Sequence, residues 1–310
     1  MAFGINNNHV APGAAIDPTK IQGVCGYGSL FGDTYYVDSG HTNATDSTGA
    51  GTRAHPFATI DYAIGQCTAS QGDVVLVAPG HTEDLDAAGD IAQDVAGVIV
   101  RGVGHGTLMP TITFSADAAT FLVSADNCAI ENIRFECDKT TGSHDTMLSV
   151  TGAHCHVRGC LFTEGATTEQ TVDYITLGTG ADWFLIENCM AVSLTDNSDS
   201  VITTAVALKH VEIRSNYFIG DFDQGVIENT TNALVNCRIH NNVLRQDAAA
   251  TKTIDLSATA TGEVVQNAVI SKVAAGGDET VIYAPKCRCS ENYAIDDTDS
   301  KSGVLTPSAT

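Results

Sequence analysis

Positive charge and aromatic side chains are what this chain has least of. Its 310 residues hold 15 Lys and Arg against 37 Asp and Glu, a formal net charge of −22. That balance disfavours nucleic acid and anionic membrane surfaces as partners. Aromatics make up 6% of the chain, with one Trp, Trp183. Exposed ring platforms for sugars are therefore not expected. No apolar run is long enough to span a bilayer. The start, Met1-Ala2-Phe3-Gly4-Ile5-Asn6, lacks the basic region and apolar core of a secretory signal. The Asp-x-Asp-x-Asp-Gly calcium loop is missing too, which leaves acidic turns such as Asp196-Asn197-Ser198-Asp199 as weak calcium candidates. Cysteine is plentiful, at 10 residues. Neither Cys155-x4-Cys160 nor Cys287-x-Cys289 has zinc spacing, and reduced, buried thiols are the expectation. No cofactor or metal is expected.

What is present is a repeat. Seven segments carry a polar turn position followed by apolar residues, with Asn132, Gly159, Asn188, Asn216, Asn242, Asn267 and Asn292 at that position. Their spacings are 27, 29, 28, 26, 25 and 25 residues. A period of that length with short strands and no long helix predicts a solenoid. Its nearest physical form is a parallel β-helix, one coil per repeat, in which equivalent residues lie above one another. The six asparagines are then a structural ladder, and Gly159 replaces Asn where positive φ is needed. Two apolar columns run alongside: Cys128, Cys155, Phe184, Val211, Cys237 and Cys287, and Ile130, Val157, Ile186, Ile213, Ile239, Val264 and Cys289. From Ile213 onward the second column sits one residue further from the Asn, which reads as a one-residue bulge.

Upstream, residues 1–33 are rich in Asn, Gly and Pro with scattered apolars: Phe3, Ile5, Val10, Ile21, Tyr27, Leu30 and Phe31. They read as an extended arm that orders on a partner. Residues 34–71 read as an opening strand and a short helix, N-capped by Thr59, whose stripe of residues 57, 60, 64 and 67 closes the end of the core. The solenoid domain is expected over 34–297 and a tail over 298–310.

The runs Tyr35-Tyr36-Val37-Asp38-Ser39-Gly40, His55-Pro56-Phe57-Ala58-Thr59-Ile60 and Gly72-Asp73-Val74-Val75-Leu76-Val77-Ala78-Pro79-Gly80 resemble the opening segment of right-handed parallel β-helix proteins of the pectin-lyase-like type. The fold class implied is all-β, a single-stranded right-handed parallel β-helix with a capping helix and an N-terminal arm. The Gly/Asn/Pro-rich leader resembles virion proteins of tailed bacteriophages. That resemblance implies a non-enzymatic capsid decoration or cement protein, homotrimeric, bound to the major capsid protein and located in the virion. The alternatives are a polysaccharide-degrading tailspike or lyase, and a tail receptor binder. The fold supports many chemistries, so it does not choose between them.

The lyase pattern of an Arg beside an acidic calcium cluster is missing. Gly104-His105-Gly106, Arg238-Ile239-His240 and Asp296-Asp297 stand in the wrong order for polygalacturonases. The best carboxylate pair for glycoside hydrolysis is Asp221 with Asp223, with Glu228 beyond, read here as a solvated acidic turn. No catalytic residue is assigned from sequence.

Overall fold

The computed structural model describes residues 32–139, 142–165, 170–194, 198–248, 252–271, 281–296 and 302–305. The arm residues Phe3, Ile5, Val10, Ile21, Tyr27, Leu30 and Phe31 lie outside them, as do Asp196 and Asn197. The chain winds as a parallel β-helix with three long sheets of ten, eight and ten strands. Each coil gives one strand to each sheet, so the sheets form the faces of a three-sided prism. The first sheet runs from Thr34–Val37 to Cys287–Ser290, the second from Ala88–Gln93 to Ile282–Tyr283, and the third from Thr82–Leu85 to Asn292–Asp296. Ser302–Leu305, inside the stretch read as a tail, pairs antiparallel with Asn292–Asp296.

The end of the core closes as the sequence predicts. Thr59 takes an extended backbone, and its hydroxyl accepts the Tyr62 N–H at 3.4 Å. Asp46 fixes the approach, accepting the N–H groups of Ala58 and Thr59. Ile60, Ala63 and Ile64 of the helix Ile60–Ile64 are buried with Phe57, and Cys67 is half-buried.

Inside, stacking follows the register. Ile130, Val157, Ile186, Ile213, Ile239, Val264 and Cys289 are partners on successive first-sheet strands. The column containing Cys128, Cys155, Phe184, Val211, Cys237 and Cys287 is buried beside them. Its missing member is Gly262, between Cys237 and Cys287. A Cβ on Gly262 would stand 2.0 Å from the Cys237 carbonyl oxygen, so only glycine fits. Phe135 stacks on Phe162 with centroids 4.9 Å apart. All nine described cysteines are free thiols.

The corner between the first and third sheets corrects the expected register. Ile130 to Phe135, Val157 to Phe162, Ile186 to Ala191, Ile213 to Phe218, Ile239 to Leu244 and Val264 to Val269 each span the same five steps from inward residue to inward residue. There is no bulge. The second residue after the inward one has positive φ in these seven coils: Asn132, Gly159, Asn188, Ser215, Asn241, Gln266 and Glu291, all between 54° and 62°. The residue after it points inward: Ile133, Cys160, Cys189, Asn216, Asn242, Asn267 and Asn292, all buried. The Asn motif therefore shifts by one position between Asn188 and Asn216. Asn132 and Asn188 form turns. Only Asn216, Asn242, Asn267 and Asn292 make the ladder.

That ladder is fully bonded. Asn216 Nδ2 donates to Asn242 Oδ1 at 3.1 Å, Asn242 Nδ2 to Asn267 Oδ1 at 2.9 Å, and Asn267 Nδ2 to Asn292 Oδ1 at 3.0 Å. Each Nδ2 also donates to a carbonyl of the preceding coil, from Ile186 to Val264. Each Oδ1 accepts a backbone N–H from the same coil below, beginning with Cys189 to Asn216. Below Cys189 the thiol takes over as acceptor, receiving the Cys160 N–H at 3.4 Å.

Candidate active site

The three outer faces carry different chemistry. On the first sheet an alternating charge ladder climbs the coils. Arg101 bonds Glu131 at 2.5 Å, Arg158 bonds Glu187 at 2.6 Å, and Arg214 reaches both Glu187 and Glu212. His240 joins Glu212 at 2.9 Å, and Arg288 meets Glu263. Burial pushes Glu187 up, but hydrogen bonds from Arg214 and Arg158 outweigh it and hold the carboxyl below its ordinary range. Glu212 is held low in the same way by His240 and the neighbouring arginines. These charges are mutually satisfied and leave no reactive group.

One outward row of the third sheet is apolar over the later coils. Leu161, Met190, Tyr217, Val243, Ala268 and Tyr293 are successive partners there. Tyr217, at 43% exposure, and Tyr293, at 63%, show that the few aromatics are not all taken by the core. Trp183 also lies outside, 48% exposed, between the rings of His154 and His210 at 5.6 and 3.8 Å. It adopts positive φ at its corner, so Phe184 alone of the pair points inward.

The second sheet holds the candidate site. One outward row runs Thr146, Asp173, Ser200 and Gly225, in parallel register. A neighbouring row runs Leu122, Ser149, Thr176, Thr203, Glu228 and Asp255. At the lower end lies an open cavity of about 400 Å³ lined by Ala118, Thr120, Asp145, Thr146, Ser149 and Thr176, among others. The Thr146 and Thr176 hydroxyls bond across it at 3.0 Å.

Above the cavity the carboxylates divide. Glu228 is firmly held: Oε2 accepts the Thr203 hydroxyl at 2.7 Å, and Oε1 accepts the Thr230 hydroxyl at 2.6 Å. Asp173, half-buried, accepts no side-chain hydrogen bond among the described residues. Burial first, then repulsion from Asp199 and Glu228, pushes its carboxyl up to about 7. Asp199 is raised too, by burial and by Asp223, although Gln224 donates to it at 2.8 Å. So near neutral pH Asp173 is poised to hold a proton, while Glu228, on the neighbouring row, is anchored by two hydroxyls. A carboxyl that keeps its proton near pH 7 is suited to act as a general acid.

Of the residues singled out in sequence, Glu228 belongs to this cluster and Asp223 flanks it. Asp221 falls before the strand Phe222–Asn229, whose inward Phe222 separates it from Asp223. Asp223 is thus on a strand rather than in a turn. Asp173 escaped notice because no Asn motif marks its strand. The spacing of residues 146, 173, 200 and 225 matches the period of the repeat and would have placed them in one row. Cys67 and Cys189 offer no alternative nucleophile. Burial, then Asp73 and Asp33, pushes Cys67 up to about 12, and burial and its neighbour Cys160 raise Cys189. Among the described residues no three His, Cys, Asp or Glu side chains are grouped as metal ligands. No described helix is long and apolar enough to cross a membrane.

No protein family and no curated protein matches the chain. Solved structures do. A rhamnogalacturonan lyase is similar at 15% identity and a TM-score of 0.44, covering 84% of this chain and 87% of that one. A pectate lyase is similar at 12% identity and 0.44, covering 87% and 78%. A pectin methylesterase from Aspergillus niger is similar at 16% identity and 0.43, covering 91% and 92%. At such identities the likeness describes shape alone, the parallel β-helix that the strand order of this chain itself shows. The expectation of a non-enzymatic protein stands against the three similar structures, all of them enzymes, whose activity does not carry over to this chain at such likeness. The expected link to phage virions finds no counterpart among them.

Proposed function

We propose that this chain cleaves a polysaccharide on the outer face of its second sheet. The carrying observation is Asp173, a carboxyl that accepts no side-chain hydrogen bond among the described residues and is held near 7 on the same face as the doubly anchored Glu228. In this reading Asp173 gives its proton to the glycosidic oxygen as the C–O bond breaks. Water adds hydroxide to the anomeric carbon and passes its proton to Glu228. The rows of Thr146, Thr176, Thr203 and Ser149 supply hydroxyl partners for sugar hydroxyls along several coils. The solenoid suits a polymer because it repeats the same face at strand spacing. The capsid-cement reading rested on the resemblance of the leader and on the arm of residues 1–33, of which 1–31 lie outside the described residues.

The test is release of reducing ends from a panel of neutral, acidic and amino polysaccharides. Asp173→Asn and Glu228→Gln should each lower the rate about 10²–10⁴-fold, the usual contribution of a positioned acid or base. The rate should also fall as pH rises through 7, where Asp173 loses its proton. No cleavage across the panel, or an Asp173→Asn variant as active as the parent, would refute the assignment.

A further inference from the structure

The third sheet changes character partway up the solenoid. In the early coils one outward row reads Thr82, Thr111 and Arg134, and the next reads Asp84, Thr113 and Glu136. Above Arg134 the first row turns to Leu161, Met190, Tyr217, Val243, Ala268 and Tyr293. Beside it run Val192, Ile219, Arg245 and Ile270. Met190, Tyr217, Val243 and Tyr293 are exposed. Arg245, the charged member of these rows, is engaged by Asp247 at 2.7 Å. Six coils at strand spacing make a strip about 29 Å long, and four strand residues make it about 13 Å wide. A contiguous apolar strip of roughly 400 Å² is large enough to mark an interaction surface.

We propose that this strip is covered by the same strip of a second copy of the chain, in an antiparallel two-fold pair. Charge places the contact here. Each chain carries a net −22, and the other two sheets present carboxylates on their outer faces. Two such bodies approach best where these rows present none. Shape selects a copy as the occupant. A solenoid face is ribbed at strand spacing, and over six coils such ribs mesh with the face of another solenoid of the same pitch. A two-fold axis lying across the strip between Tyr217 and Val243 sets Tyr217 over Val243, Met190 over Ala268 and Tyr293 over Leu161. Each pair matches a longer side chain to a shorter one, as close packing requires. The same axis sets Val192 over Ile270 and the aliphatic stem of Arg245 over Ile219. A slip of one rung would set Tyr217 on its own copy with Tyr293 over Arg134, or Met190 on Tyr293. The contact is isologous and closes at two chains. It covers roughly 800 Å² over both copies, below the standard interface, so the pair is reversible with a Kd on the order of 10–100 μM.

The test is analytical ultracentrifugation of the full chain, from roughly tenfold below that range to tenfold above it. The mass should rise from 32.3 kDa toward twice that value. Tyr217→Asp places a carboxylate at the exposed middle of the strip in both copies. It should keep the parent's circular dichroism and weaken association at least roughly tenfold. Cysteine pairs read the register. Met190→Cys with Ala268→Cys should give a disulfide-linked dimer on mild oxidation. Within one copy these positions are three coils apart, about 14 Å, too far for a disulfide. Met190→Cys with Tyr293→Cys adds the same number of thiols and should link no more than the parent. If Tyr217→Asp loses its fold, the two cysteine pairs decide. A mass of one chain at every concentration, as when the chain's own residues 1–31 cover the strip, would overturn the proposal. So would an assembly of three chains, undiminished association of a folded Tyr217→Asp, or equal linking by the two cysteine pairs.

Discussion

Asn242 shows how one side chain joins two coils. Its Oδ1 accepts from the N–H and Nδ2 of Asn216, and its Nδ2 donates to the Ile213 carbonyl and Asn267 Oδ1. Leucine fits the volume but answers none of these groups. Each buried partner left unsatisfied costs about 1–3 kcal/mol, so Asn242→Leu should destabilise by roughly 3 kcal/mol or more in urea unfolding. Asn188→Gly should be close to neutral, because Asn188 supplies positive φ as Gly159 does. Equal costs for the two variants would contradict the register. The period of the repeat was legible in the sequence, as were the inward apolar columns. The corner register was not, because an Asn suits both the left-handed position and the inward position next to it. Counting Asn to Asn cannot tell the two apart. Only the constant distance from Ile213 to Phe218 and its equivalents does so.

At the scale of the sheets, the first and second faces respond oppositely to acid. Asp173 has a folded-state value of about 7 against an ordinary 3.8, so between these limits the folded chain holds more protons than the unfolded one. Its contribution to stability therefore falls as pH rises through that window, and Asp199 acts in the same direction. Glu187 and Glu212 are held low by the arginine ladder. Their contribution is present above the ordinary glutamate range and is lost as pH falls below it. Taken together, these groups favour a stability maximum on the acid side of neutrality. Thermal unfolding of Asp173→Asn should show a flatter decline toward neutrality and a gain of roughly 1–4 kcal/mol over the parent above pH 7. A variant that loses activity while gaining stability is the expected mark of a strained catalytic group. A decline as steep as the parent's would mean that Asp173 is not the group titrating.

For the whole molecule, the question is what keeps a stack of coils from fraying at its first end. Parallel coils have no intrinsic stop, and the end coil would expose Val75, Val77 and Val100, all buried here. The strand Thr34–Val37 adds one more rung in register with Val74–Val77. The helix Ile60–Ile64 then lies over the opening, with Phe57 against Tyr62 at 5.0 Å and the Ile60 N–H donated to Glu83 at 3.0 Å. Asp73 ties the strand's start to the next coil, accepting the Asp33 N–H at 2.7 Å and the Thr68 N–H at 2.6 Å. The described part of the cap is thus built from residues 33–73. A chain beginning at Gly32 should therefore keep the β-rich circular dichroism and unfolding midpoint of the parent. A chain beginning at Gly72 loses the extra rung, the helix and Phe57, and should aggregate through its uncovered first rung. Ile60→Asp in the full chain is the milder version: one buried charge in the cap, with the rest of the solenoid unaltered, should destabilise the first coils while Asn216 to Asn292 stay protected in amide exchange. If the Gly72 chain folds as stably as the Gly32 chain, the end of this solenoid needs no cap, and the first coil must be held by the strand ladder alone.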